Sequence, residues 1–177
     1  MINQLRITKT RDVKTPHRGT PLSAGLDLFV PEDIRVYEIL EKNPAISIEN
    51  ITTDLDPREI VEYIMLQPSE GLLIPTGIHF DIPNNYMIRV SNKSGIASKY
   101  GLLIGATCCD ADYEGIVHIN VWNVSNEPRK ICAGMKLAQA ILIPVEYPEV
   151  VEVENVEELY TSKNSSRGSG GFGSTGK

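Results

Sequence analysis

Most of this chain is built from short apolar runs separated by Gly, Pro and Asn. The runs are "QLRITKT", "GLDLFV", "GLLIPTGIHFDI", "YMIRVS", "GLLIGATCC", "GIVHINVWNVS", "LAQAILIPV" and "EVVEVENV". Their length, β-branched content and turn punctuation read as strands, and so many of them in succession leave room for little else than a sandwich or jelly roll. "AQAILIPV" is apolar on both faces, so it is expected to be buried against a second layer or a partner subunit. The chain has 177 residues, of which 41% are hydrophobic, enough for one domain with a real core or one domain with an insertion. The expected fold class is therefore all-β, a distorted jelly roll or β-sandwich.

Two segments depart from the strand pattern. "DPREIVEYIML" carries helix-start signals: Asp56 as N-cap, Pro57 at the first helical position and Glu59 as capping-box partner. Its Ile60, Val61, Ile64 and Met65 form one apolar stripe on a helix. "SGIASKYG" reads as a short helix with Ser94 as N-cap and Gly101 placed to end it. An insertion is expected at about 32–70, where helical and irregular sequence interrupts the strands. One β domain is expected over 1–161, followed by a flexible Gly-rich lid over 162–177, since a tail such as "RGSGGFGSTGK" is too rich in glycine to fold alone.

Composition narrows the function classes. A net charge of −6 argues against a sequence-independent grip on nucleic acid, although a small anion can still be held by local cations and amides. No apolar run is long enough to cross a bilayer, and "MINQLRITKT" has no apolar secretion segment. The expected location is the cytoplasm, or the host cytoplasm if the chain is viral. Cys108, Cys109 and Cys132 form no CxxC pair and are expected to be buried thiols, and His17, His79 and His118 have no metal-ligand spacing.

Five segments are unlike ordinary β-protein sequence: "SAGLDL", "NKSGIA", "GATCCDADYEG", "GMKLAQ" and "RGSGGFGSTG". Each combines small residues, which permit close backbone approach, with one or two polar side chains. Alone, each has a structural reading as well, as a polar hairpin turn, a helix cap, a glutamine inside a strand or a linker end. In this order and spacing they resemble the five motifs of the trimeric dUTPase family, from about Pro21 to Gly176. The resemblance implies a homotrimer with shared active sites. Its reaction is hydrolysis of dUTP to dUMP and pyrophosphate with Mg²⁺ on the triphosphate, which keeps uracil out of DNA and supplies dUMP for thymidylate synthesis.

The resemblance also assigns roles, which suit the chemistry of the residues. Asp110 matches the carboxylate that activates water. Tyr113 matches the ring that packs under deoxyribose and leaves no space for a 2′-hydroxyl. Backbone groups between Thr107 and His118 resemble those that read the uracil edge. Lys93, Ser94 and Gly95 stand where the family usually has Arg-Ser-Gly to hold phosphate, and a lysine keeps the charge but loses the bidentate fork. Gln139 can orient water or a phosphate oxygen. Asp27 matches the aspartate that reaches the metal indirectly, through water. In the tail, Arg167 would meet the terminal phosphate, Phe172 would cover the uracil, and Gly173, Ser174 and Thr175 would cradle phosphates.

Two other readings remain open on the sequence. A dCTP deaminase of the same fold would need a glutamate and a serine-arginine pair beside the pyrimidine, where this chain has Asp110 and lacks that pair. A regulatory protein could contact a protein partner through the insertion, a role compatible with catalysis.

Overall fold

The computed structural model describes residues 4–44, 46, 60–160 and 168–170. The chain divides into two units, Met1–Glu146 and Tyr147–Lys177. The first holds the sheets, the core and every expected site residue outside the tail.

The opening strands are β1 (Arg6–Lys9), β2 (Leu26–Phe29) and β3 (Ile34–Arg35), followed by helix α1 (Val36–Lys42). Next come β4 (Ile60–Val61), β5 (Tyr63–Leu66), β6 (Gly71–Pro75), β7 (Ile78–Asp81) and β8 (Tyr86–Asn92). Helix α2 (Ser94–Tyr100) precedes β9 (Leu102–Ile104), β10 (Cys108–Cys109), β11 (His118–Asn123), β12 (Arg129–Cys132) and β13 (Lys136–Pro144). A four-stranded sheet runs β10-β8-β13-β2 and a three-stranded sheet β6-β11-β9, with the pairs β1-β7, β12-β5 and β3-β4 beside them. All the pairings are antiparallel. Alternate residues of these strands face one core: Ile88 and Val90 of β8, Ile119 and Val121 of β11, Leu72 and Ile74 of β6. This is the all-β jelly-roll class.

"DPREIVEYIML" is not a helix in its described part. Ile60–Val61 and Tyr63–Leu66 are strands, and the cap residues Asp56, Pro57 and Glu59 lie outside the described residues. The burial of Ile64 and Leu66 against an exposed Tyr63 follows a period of two, and β12 supplies the ladder from Tyr63↔Cys132 to Leu66↔Arg129. A short apolar run carries both periods, and the partner strand decides between them. The helix of this region lies earlier, at α1. "EVVEVENV" is also not a strand. It has no ladder partner among the described residues, and Val156–Leu159 forms a short helix, α3. "RKIC", not expected as a strand, is β12.

The region around α1 is fastened to the sheets. Asn43, 9% exposed, donates through Nδ2 to Leu73 O (2.9 Å) and Ile39 O (2.8 Å), while its Oδ1 accepts from Leu73 N at 2.6 Å. Its amide thus stands in for a strand neighbour along β6. Arg11, almost fully buried, pairs with Asp33 at 2.9 Å and with Glu38, and Arg35 reaches Asp33 at 2.8 Å. Ser94 is the first helical residue of α2, with Lys93 at the cap position and no side-chain cap bond. Gly101 ends that helix at φ 62°, where a Cβ would be strained, and its N–H bonds Ala97 O.

Candidate active site

The four-stranded sheet assembles the first group of site residues. β13 lies between β2 and β8, so its register sets Gln139 opposite both Asp27 and Ser91. Gln139 Nε2 donates to Asn92 O at 2.8 Å. The glycine of "SAGLDL" is needed here, because a Cβ on Gly25 would lie 2.9 Å from the Cβ of Gln139. Asp27 is buried, and its N–H is tied to His17 O at 2.7 Å. Lys93 Nζ donates to its Oδ1, and Lys136 Nζ forms an ion pair with Oδ2 at 2.9 Å. That second contact lacks hydrogen-bond geometry, so Oδ2 is a buried oxygen without a hydrogen-bond donor. Burial pushes the Asp27 carboxyl up, but the hydrogen bond from Lys93 and the positive charges of Lys93 and Lys136 outweigh it and hold the group below its ordinary value. Sequence reasoning missed Lys136. Its signal was its place in "GMKLAQ", three residues before Gln139.

The second group lies on the segment that leaves β10. A pocket of about 250 Å³ is lined by Asp110, Tyr113, His118, Cys108, Cys109 and Leu73 among others. β10 pairs with β8, and β11 pairs with β6 and β9, so residues 110–117 link two sheets and do not close a two-stranded hairpin. A turn with Tyr113 N–H on Asp110 O (3.1 Å) presents Asp110, which is exposed. Tyr113 hydroxyl donates to Ile116 O at 2.8 Å, and its ring fills the space above Gly115, where a Cβ would come within 2.5 Å of the ring.

His118 is half-buried, and its Nδ1 lies 2.8 Å from Ile116 O, a pure acceptor, so Nδ1 carries the proton. Burial pushes the ring below its ordinary value, the bond to Ile116 opposes this, and the charge of Lys42 adds to it. Thr107 contributes its carbonyl to Val90 N–H at 2.8 Å. The cysteines are free and not fully buried as expected: Cys108 is exposed, and Cys109 and Cys132 are half-buried. Burial, with Cys108 and Asp110 beside it, pushes the Cys109 thiol up to about 11, which leaves it a poor nucleophile.

The two groups do not meet in one chain. Cys108 pairs with Arg89 and Cys109 with Ile88, so the segment carrying Asp110 runs along β8 away from Asn92 and Lys93. Ser94 and Gly95 are at the start of α2, and a Cβ on Gly95 would meet open space. Arg167, Phe172, Gly173, Ser174 and Thr175 lie outside the described residues. Among the described residues no cluster of His, Cys, Asp and Glu could hold a metal ion by itself, and no helix is long and apolar enough to cross a membrane.

Fold and site define a jelly-roll protein that combines a buried cationic cluster with a separate pocket lined by a carboxylate and an aromatic ring. The dUTPase family profile matches residues 59–176. A deoxyuridine 5′-triphosphate nucleotidohydrolase of Wolbachia pipientis subsp. Culex pipiens (strain wPip) is 41% identical over 174 residues, covering 97% of this chain and 93% of that protein. The solved structure of a Staphylococcus bacteriophage 80alpha dUTPase variant with dUpNHpp aligns with TM-score 0.69 at 22% identity, covering 99% of this chain and 100% of that one. A mutant dUTPase from phage phi11 of S. aureus, described with a structural Mg(II) ion, aligns with TM-score 0.63 at 24% identity, covering 88% and 99%. The chain belongs to the dUTPase family.

Proposed function

We propose that this protein hydrolyses dUTP to dUMP and pyrophosphate, which keeps uracil out of DNA and supplies dUMP for thymidylate synthesis. The observation that carries this reading is the pocket in which Asp110, Tyr113 and His118 converge. An exposed carboxylate beside a braced aromatic ring can accept a proton from water while the ring packs against the sugar. Asp110 is the general base for water attacking the α-phosphate in line. Tyr113 excludes a 2′-hydroxyl by occupying its space, and backbone groups from Thr107 to His118 read the uracil edge. Ser94 hydroxyl, Gly95 N–H and Lys93 hold phosphate oxygens, and Gln139 orients water or a phosphate oxygen.

The nucleotide brings Mg²⁺ with it. Two lysines around one carboxylate leave the Asp27 cluster cationic, which suits a triphosphate and not a free metal ion. The buried Oδ2 of Asp27 fits an acceptor for a water of the hydrated ion. Bound there, Mg²⁺ would neutralise phosphate charge.

The working form is a homotrimer in which each site draws on more than one chain. Two observations support this. The Asp27 and Asp110 groups diverge along β8, and Ile141, Leu142 and Ile143 of β13 are only partly covered within one chain. Residues 162–177 act as the lid, with Arg167 on the terminal phosphate, Phe172 over uracil, and Gly173, Ser174 and Thr175 around phosphate. The domain spans 1–161 with its insertion at about 32–70, a surface open to a protein partner, and the protein works in the cytoplasm. Turnover of each pyrimidine triphosphate, with product analysis, tests the reading. dUTP is expected to give dUMP and pyrophosphate with Mg²⁺, and comparable turnover of dCTP, or ammonia release from it, overturns the reading.

A further inference from the structure

A side chain that excludes a single hydroxyl group must not give way. A wall that yields costs the unwanted substrate only the energy of moving the wall. Tyr113 is 40% exposed, so surrounding side chains do not lock its ring. What holds its tip is a hydrogen bond from the hydroxyl to Ile116 O at 2.8 Å. That oxygen has a second donor, His118, whose Nδ1 is also 2.8 Å away. A carbonyl oxygen has two lone pairs, so the two side chains fill both. Among the described residues no backbone N–H shares this acceptor.

The peptide that carries the carbonyl is tied at its other end. Val117 N–H bonds Ile78 O of β7 at 2.8 Å, and Val117 O accepts from Thr76 Oγ1 at 2.6 Å. Residues 116–118 therefore make a post against the β6–β7 connection, and Tyr113 leans on it. His118 opens β11, where its pairing with Pro75 of β6 sets its backbone. Its imidazole thus brings a donor from a strand to an oxygen in the segment that carries Tyr113. His79 of β7 makes the same kind of bond two residues earlier, with Nδ1 2.8 Å from Glu114 O.

We propose that His118 is a positioning residue for sugar selection: by donating to the Ile116 carbonyl it orients the acceptor on which Tyr113 rests, and so keeps the ring where a 2′-hydroxyl would collide with it. The imidazole acts through Ile116 and Tyr113 and not on the sugar. No covalent bond changes. The inference rests on the dUTP reading of the site and adds to it what holds the selecting ring.

The test compares kcat/KM for dUTP and for the ribonucleotide UTP on each preparation, a ratio that loss of folded protein does not alter. His118→Leu removes the donor, and the preference for dUTP should fall about threefold to tenfold, the scale of one neutral hydrogen bond. His118→Asn, whose amide can donate from the place of Nδ1, should restore it. Tyr113→Phe removes the other donor and should lower the preference alike. Adding His118→Leu on that background should change the ratio no further, because the ring no longer rests on Ile116. His79→Leu controls for a turn loosened in general and should leave the ratio as it was. An unchanged ratio in His118→Leu or Tyr113→Phe, an equal fall in His79→Leu, or a further fall in the double variant overturns the proposal. A second readout needs no nucleotide. The ¹³C shift of the Tyr113 ζ carbon, which follows hydrogen bonding of the hydroxyl, should move in His118→Leu and return in His118→Asn. A signal unmoved in His118→Leu overturns the link between the two side chains. A protein in which this signal responds but neither triphosphate is hydrolysed would refute the proposed function and leave that link standing.

Discussion

At the scale of single residues, chemistry divides between a carboxylate open to solvent and one that is buried. Asp110 lies at the pocket, free to take a proton, whereas Asp27 is enclosed by two lysines and held ionised. Asp110→Asn keeps the shape and removes the proposed base. Turnover should fall about a hundredfold or more, the usual range for a general base, while calorimetry should find dUpNHpp binding retained. Turnover equal to that of the unmodified protein would take Asp110 out of its role.

His118 gives a pH prediction of defined sign. Because burial lowers its folded pKa, the unfolded chain takes up the proton first. The stability from neutral His118 is thus complete above about pH 6.5 and is lost as the pH falls through the folded value. His118→Asn should flatten this acid limb in a series of thermal melts. An unchanged slope would show that the ring titrates alike in both states.

At the scale of elements, the region expected as an insertion is tied into the sheet. Asn43 makes three hydrogen bonds, two of them to the backbone of Leu73, which also lines the Asp110 pocket. Asn43→Ala removes the partner of the Leu73 N–H and C=O in a part-buried place. Urea unfolding should show a loss of about 2–3 kcal/mol, the cost of buried groups without partners. A loss below about 0.5 kcal/mol, the size of an ordinary surface change, would mean that water or a neighbour replaces the amide. The same region held the main misreading of the sequence. Its Ile60, Val61, Ile64 and Met65 make a helical stripe, yet Ile64 and Leu66 are the buried pair and Tyr63 is exposed. Local pattern permits both periods there. Pairing with β12, more than sixty residues away in sequence, selects the strand.

At the scale of the whole molecule, the proposed sharing of each site between chains has a direct consequence. If tail and Asp110 in one site come from different chains, two inactive variants should rescue each other. One carries Asp110→Asn, and the other is truncated before Arg167. In the proposed trimer, unfolding and refolding them together gives mixed assemblies in which some sites take Asp110 from the truncated chain and a full tail from the other. Activity should exceed that of either variant alone. Absence of rescue in demonstrably mixed trimers would place both parts on one chain and refute the shared site.

The sequence alone determined what depends on residues close together in the chain. Strand runs and turn residues defined the all-β class, Gly101 ended α2, and small residues marked segments where backbone comes close, as Gly25 does to Gln139. Tertiary structure decided what depends on partners distant in the chain. Lys93 and Lys136 meet on Asp27 only because β13 lies between β2 and β8. "EVVEVENV" has the pattern of a strand, but its described residues have no ladder, since alternation specifies a face and not the neighbour that covers it. A charge such as that of Lys136 is the least legible of all, because nothing in its own segment tells a solvated lysine from one that neutralises a buried carboxylate.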